Sequence, residues 1–484
     1  MRVSIKKNFG YNLIYTILNI IIPLITAPYT SRVLGAANIG IYSYTYSIIS
    51  TVIMFGVLGT ATYGQKEIAS LKNDDKVRTC VFWEIFVLRV GMSLVVILLF
   101  VPYLMNSSYF VYFLLQTPFL LSAMLDVSWY FQGVERFKNI AVRNIFVRII
   151  GVVLLLLLVK TQDHLWIYLL IIGMSQLLGN LSMWPYLKLE VGAFHIRKSH
   201  MKYHFKETLV YFIPSVAHQI YAVLDKTMLG ILVGSDYENG YYEQAQKIIN
   251  MVVSIFTAYT VVMRSRMSVL FAEHKKQEIG KMMNKSSNFI AMMVFPMMFG
   301  LAATAKGIVP WFFGAGYDHV VILLIVLCPV FFFMGYSHMI GSHLLTPSGR
   351  QGKSNIAQCI AAGINVVLNA VLIPRFFAVG AAIASVISEM VIFVLYFWFV
   401  RDEYTVQQAW QSGWKKLVSA VVMLVILLPI CDQMSYSILS SLIEVCIGTI
   451  VYGVVLLLLR DEFTCDNVVR IIENVKNKWN NESL

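Results

Sequence analysis

The chain has 484 residues, of which 58% are hydrophobic and 13% charged, whereas a soluble domain carries about 25% charged residues. So few charges cannot cover a water-exposed surface, and repeated apolar stretches of about 20 residues replace a count of soluble domains with a count of membrane spans. The net charge of +12 punctuates loops and builds no basic domain, which argues against a nucleic-acid partner.

Lipid leaves no backbone polar group unpaired, so the spans are expected to be helices. The predicted fold is an all-α polytopic membrane protein with about fourteen transmembrane helices. In chain order they fall at 9–31, 38–63, 80–104, 109–131, 143–160, 165–187, 208–233, 243–263, 287–308, 318–345, 355–373, 378–400, 417–432 and 437–459. Arg2, Lys6 and Lys7 precede the first span and no small-residue cleavage site ends it, so it reads as a retained helix and not a removed signal. Basic residues crowd alternate loops: Lys66, Lys72, Lys76 and Arg78; then Lys188, Arg197, Lys198, Lys202 and Lys206; then Arg264, Arg266, Lys275, Lys276, Lys281 and Lys285. The opposite loops are short and nearly uncharged. Of 38 Lys and Arg, about 30 fall on the first side and about four on the second, which predicts that both termini lie in the cytoplasm. The tail from Arg460 to Leu484 has the length of a short surface helix.

A faint repeat runs through the chain. Leu34-Gly35, four residues, Gly40, one residue, Tyr42 is echoed by Val233-Gly234, five residues, Gly240, one residue, Tyr242, and a proline-bearing span precedes each copy (Pro23, Pro214). Six spans separate the copies, and an even separation preserves orientation, so the halves are expected to be parallel. This divides the chain into a six-helix lobe at 1–207, a second at 208–400, two additional spans at 401–459 and a cytoplasmic tail at 460–484.

Polar side chains recur on single helical faces inside the spans: Tyr15, Asn19, Pro23, Thr26 and Thr30; Pro214, His218, Tyr221 and Asp225; Glu243, Lys247, Asn250, Ser254 and Thr257; Gln358, Asn365 and Asn369. Such stripes either glue helices together or line a hydrated cavity between the halves. The charges weigh towards the cavity. Arg89, Asp126, Arg148, Asp225, Lys226, Lys247 and Glu389 lie within or near spans, where each costs roughly 2.5–3.5 kcal/mol at a helix centre. Arg148 and Lys247 are placed to snorkel, and Asp225 and Lys226 are placed to neutralise each other. Cations on a cavity wall suit an anionic substrate, because Arg meets phosphate oxygens bidentately. The substrate-binding candidates are therefore Arg32, Lys226, Arg89, Arg148 and Lys247. The ion-coupling candidates are Asp225, Asp126 and Glu389, and the polar cavity lining is Asn19, His218, Asn250, Asn365 and Asn369.

No nucleotide-binding loop, HExxH, GxSxG, EF-hand or potassium-filter motif occurs. His338 and His343 are five apart, on different helical faces, which argues against a shared metal, and the six cysteines form no CxxC. No catalytic residue, metal or cofactor is called for.

Segment 23–42, PLITAPYTSRVLGAANIGIY, resembles the first-hairpin signature of Wzx-type oligosaccharide flippases of the multidrug/oligosaccharidyl-lipid/polysaccharide exporter superfamily. Asp225-Lys226-Thr227-Met228-Leu229-Gly230 followed by Gly240-Tyr241-Tyr242 is similar to that family's seventh-span pattern. Asn365 and Asn369 followed by Gly380-Ala381-Ala382 are similar to its eleventh-to-twelfth-span pattern. The resemblance implies two parallel six-helix lobes around a central cavity. It implies translocation of undecaprenyl-diphosphate-linked oligosaccharide repeat units to the outer leaflet by alternating access, for capsule or other surface polysaccharide, with membrane lipids and a polysaccharide polymerase as partners. Carried over by motif, Arg32 and Lys226 would meet the diphosphate and Asp225 would couple or pair; Arg89 and Arg148 match no motif. The rivals are a lipid II or teichoic-acid precursor flippase, or a multidrug cation antiporter, of the same fold. From another class stands a membrane-embedded glycosyltransferase or polymerase, against which the tiny outer loops argue.

Overall fold

The structure, a computed structural model, describes residues 5–71 and 74–467 together with 469 and 473, with side chains described except at 5–20, 137–142, 198–199, 213–215, 217–218, 220–222, 258 and 261. Asn19 and His218, two of the expected cavity residues, lie outside the described side chains.

All regular structure among the described residues is helical. In order the helices are α1 (Ile5–Val57), α2 (Thr60–Ser70), α3 (Asp75–Met105), α4 (Phe110–Leu115), α5 (Thr117–Met124), α6 (Ser128–Gly133), α7 (Phe137–Leu158), α8 (Leu165–Leu181), α9 (Trp184–Leu187), α10 (Lys198–Val233), α11 (Asp236–Ala272), α12 (Lys276–Phe313), α13 (Asp318–Leu327), α14 (Val330–Ile340), α15 (Gln351–Val400), α16 (Val406–Cys431) and α17 (Ile438–Leu458), with a π-helical turn at Gly341–Leu345. Nine segments among the described residues are long and apolar enough to cross a membrane, and ten when Asp318–Leu327 and Val330–Leu345, bent by 42°, are taken as one.

Two helices are too long for one crossing. A straight helix of 50 residues would run about 75 Å, against a hydrocarbon core of about 30 Å. Both are broken. α1 turns at Gly35 (φ 78, ψ 167), where the missing Cβ makes the left-handed region accessible. α15 turns at Phe377 (φ 53, ψ −133), a costly conformation for a bulky residue. Two features hold that corner: the Ala378 N–H donates to Glu238 Oε2 at 3.0 Å, and Gly380 faces the Leu372 carbonyl so closely that a Cβ would not fit.

The chain forms two compact units, residues 1–244 with 358–381, and residues 245–357 with 382–484. The first cut falls at 244, beyond the expected lobe boundary at 207, and the end of α10 and the first turns of α11 belong to the first unit. In that unit α1 packs on α3, α7 and α10, and α5 packs on α8. An aromatic block of Tyr63, Phe82, Trp129, Tyr130 and Phe131 is fully buried there, with Phe82 stacked on Trp129 at 5.3 Å. Gly64 lies flat against the Trp129 ring, with no space for a side chain.

In the second unit α12 packs on α16, α17 and α14. Lys416, 1% exposed, donates to Asp461 Oδ2 at 2.8 Å and to Asn288 Oδ1 at 2.9 Å. That pair pins the start of the tail to α16. A 260 Å³ cavity lined by Phe295, Phe332, Phe333, Tyr336, Phe393 and Trp410 is almost wholly apolar.

Candidate functional site

The two copies of the sequence repeat meet. Gly35 and Gly234 both adopt positive φ (78° and 65°) and end a helical run; five and six residues later come Gly40 and Gly240. A methyl group on Gly40 would strike the Asp236 carbonyl, and one on Gly240 would strike the Ala36 carbonyl. Each glycine therefore faces the residue four before the other, so α1 and α11 cross reciprocally, backbone against backbone. Only glycine at both positions allows this approach. The crossing is fastened on either side. Tyr109 donates to Asp236 Oδ1 at 2.7 Å, and Gln244 Nε2 donates to Ser31 Oγ at 2.8 Å. Gly230 lies against the Tyr44 ring in the same way.

One turn beyond the glycines, Ser43 and Glu243 occupy equivalent places and hydrogen-bond, Oγ to Oε2 at 3.0 Å. The same carboxylate oxygen accepts from Lys226 Nζ at 2.5 Å, with Lys226 20% and Glu243 10% exposed at the side chain. The neighbouring Thr227 shares a hydroxyl bond with Ser47 at 2.7 Å.

Asp225 faces the other way. It is 3% exposed, accepts from Tyr242 O–H through Oδ2 at 2.6 Å, and accepts from Asn369 Nδ2 through Oδ1 at 2.6 Å. Asn369 also donates to Asn365 Oδ1 at 3.0 Å. Both asparagines are completely buried. Asn369 Oδ1 and Asn365 Nδ2 have no hydrogen-bond partner among the described residues. A buried carboxylate beside an unused amide oxygen is a set of hard acceptors, suited to a proton or a small hard cation.

Residues 5–268 match the family described as polysaccharide biosynthesis protein. The chain belongs to this family. Polysaccharide biosynthesis proteins of this kind are membrane transporters of the flippase type and not enzymes. The chain is 23% identical over 411 residues to the putative O-antigen transporter of Escherichia coli (strain K12), covering 83% of this chain and 98% of that one. It is 24% identical over 264 residues to the probable low-salt glycan biosynthesis flippase Agl15 of Haloferax volcanii, covering 54% and 55%. Its fold is that of a solved lipid II flippase MurJ in an inward closed conformation, with a TM-score of 0.66 at 17% identity over 94% of this chain and 99% of that one.

The other expected residues of this polysaccharide biosynthesis protein are distributed unevenly. Arg32 is exposed, Arg148 and Lys247 are half-buried, and Asn250 is exposed. Glu389 is 3% exposed and belongs to the second unit. Arg89 is 2% exposed. Its Nε and Nη2 both donate to the Ala123 carbonyl, at 2.8 and 2.5 Å, and Nη2 lies 3.6 Å from Asp126. Asp126 in turn accepts from the Ser128 N–H at 2.9 Å. That geometry gives Arg89 and Asp126 a bracing role between α3 and the α5–α6 junction. Sequence reasoning singled out the glycines, Tyr242 and Asp225. It missed Asp236 and Glu238, which lie between Gly234 and Gly240 of the second repeat copy and form the acidic first turn of α11.

Proposed function

We propose that the chain is a flippase that carries polyprenyl-diphosphate-linked oligosaccharides, undecaprenyl-linked in bacteria, from the cytoplasmic to the outer leaflet by alternating access. The surface polysaccharide it serves is of the O-antigen or capsule type. The observation that carries this reading is the match along 98% of the E. coli putative O-antigen transporter. Counting the halves of α1 and α15 separately and adding α7 and α10 turns ten candidate spans into fourteen, which supports the full exporter topology.

With the basic loops in the cytoplasm, the glycine crossing lies at the outer face. A reciprocal backbone contact there closes the outer side, and parting it would open the path outward. Lys226 and Arg32, both in the first unit, meet the diphosphate. Glu243, itself held by the Ser43 hydroxyl, keeps Lys226 until the substrate's phosphate oxygens compete for it, since an ammonium forms charge-assisted hydrogen bonds to phosphate as it does to a carboxylate. Asp225, with Asn365 and Asn369, takes the coupling proton or cation, because neutralising that carboxylate changes what Tyr242 and Asn369 bind.

Cells lacking the chain should lose surface glycan while the lipid-linked unit builds up inside, and Asp225→Asn should reproduce much of that loss with a changed pH or cation profile of transport. Sugar transfer catalysed by the purified chain would overturn the flippase reading. Unchanged transport and an unchanged profile in Asp225→Asn would overturn only the coupling role.

A further inference from the structure

We propose a transition-metal site of the zinc class, formed by Glu84, His200 and His204 at the junction of α3 and α10. Ligand atoms of the three residues lie within 4.8 Å of one another. His200 and His204 are four apart on α10, so both imidazoles leave the same helical face, a spacing that helical zinc pairs use. Glu84 on α3 is 0% exposed and His204 2% exposed, whereas His200 is exposed. Two donors are thus fixed in the interior and the third stands at the open side, which leaves a remaining tetrahedral position to water.

The surroundings organise the buried donors before any ion arrives. Tyr63 O–H and His204 Nδ1 are 2.7 Å apart, which directs His204 Nε2 at Glu84 Oε2, 2.9 Å away. A hydrogen bond on the far ring nitrogen is how metal-binding imidazoles are oriented. Tyr63 itself belongs to the buried aromatic block, so this orientation is rigid. Arg197 braces the carboxylate: Oε1 accepts from the Arg197 N–H at 2.8 Å and from Arg197 Nε at 3.0 Å, and Oε2 accepts a longer bond from Arg197 Nη2 at 3.3 Å. Oε2 is the oxygen that faces His204, and an ion there would take the place of the longer arginine contact as well.

A proton now bridges Glu84 Oε2 and His204 Nε2. An ion bonded to both atoms at about 2.0–2.2 Å would take that proton's place and draw in His200. Two imidazole nitrogens and one carboxylate oxygen form a borderline donor set that favours Zn²⁺, and Ni²⁺ or Cu²⁺ in vitro, over Mg²⁺ or Ca²⁺. The consequence is mechanical: the ion would fasten the first turns of α10 to α3. The same helix carries Asp225 and Lys226 near its other end.

The test needs no transport assay, so its failure is separable from failure of the flippase reading. Full-length protein in detergent or nanodiscs, stripped with chelator, is dialysed against Zn²⁺ alone and its metal content measured. One equivalent per chain is expected, with a raised unfolding temperature. His200→Ala, a change at an exposed ligand that leaves the Glu84–His204–Tyr63 chain in place, should weaken binding roughly tenfold or more. Tyr63→Phe, which removes only the orienting hydroxyl, should weaken it by roughly ten- to a hundredfold. Co²⁺ should give the visible absorption of a tetrahedral site in the wild type and lose it in His200→Ala. No stoichiometric binding, or equal binding by wild type and His200→Ala, would overturn the site and leave an ion-pair network alone.

Discussion

The two copies of the glycine repeat share a backbone task and differ in their side-chain chemistry. Gly35 turns a continuous helix, and Gly234 closes one helix before the next begins at Asp236. The second copy has one residue more, yet Gly40 and Gly240 still face each other's carbonyls. What is common to both copies is the crossing and not the loop. Two residues on, Tyr42 stacks on Tyr46 at 5.6 Å and lies edge-on to Tyr168 at 5.3 Å, while Tyr242 donates to Asp225. Three residues on, a serine in the first copy meets a glutamate in the second. The first copy is a packing surface, and the second carries the charges.

The harshest way to break this comparison is to deny the crossing. Gly240→Val places a branched side chain where the Ala36 carbonyl sits, and Gly40→Val does the same at Asp236. Overpacked contacts of this kind cost about 1–3 kcal/mol even where side chains can yield, and here backbone must move. Either variant should lower transport by an order of magnitude or more while membrane insertion persists. Cysteines placed at Ala36 and Asp236 should be bridged by a short bifunctional reagent in the parent and not in Gly240→Val. Efficient bridging in both would show that the glycines do not set the approach.

Next in size is the contrast between the tyrosines. Tyr242→Phe removes a donor from a buried carboxylate, and a hydrogen bond to a charged group contributes about 1.5–3 kcal/mol. Tyr42→Phe keeps the ring that Tyr46 and Tyr168 pack against. The first change should lower the unfolding temperature by several degrees and shift the pH or cation dependence of transport; the second should leave both near the parent values. Equal effects would mean that the copies are not chemically divided.

The helices and the repeat were legible in the sequence because both are local signals. Lipid forces each span to satisfy its own backbone, and a left-handed turn or a tight crossing demands glycine at that position. What each polar residue binds was not legible. Ser43 and Glu243 are 200 positions apart, and Arg89, grouped with the cavity cations on charge alone, spends its guanidinium on a backbone carbonyl. No local pattern announces a phenylalanine at positive φ; Phe377 is held there by Glu238, which is far away in sequence. The sequence reading weighed His338 and His343 and passed over His200 and His204, because Glu84, which makes that pair a cluster, comes from another helix.

The smallest effect expected sharpens the claim that the second copy's charge holds Lys226 loosely. Glu243→Gln keeps an oxygen for the Ser43 hydroxyl and removes the charge opposite Lys226. The pair is partly exposed, and ion pairs in reach of water contribute roughly 0–1 kcal/mol, so the unfolding temperature should fall by a degree or two. That difference should shrink further in high salt, since screening acts on what solvent can reach. Transport should respond in the opposite sense to stability. An unpaired Lys226 is available to phosphate oxygens without first leaving Glu243, so the concentration of substrate needed for half-maximal rate should drop a few-fold. A large loss of stability that salt does not touch would mean that the pair is a dry strut, and Lys226 would then be a poor candidate for meeting the headgroup.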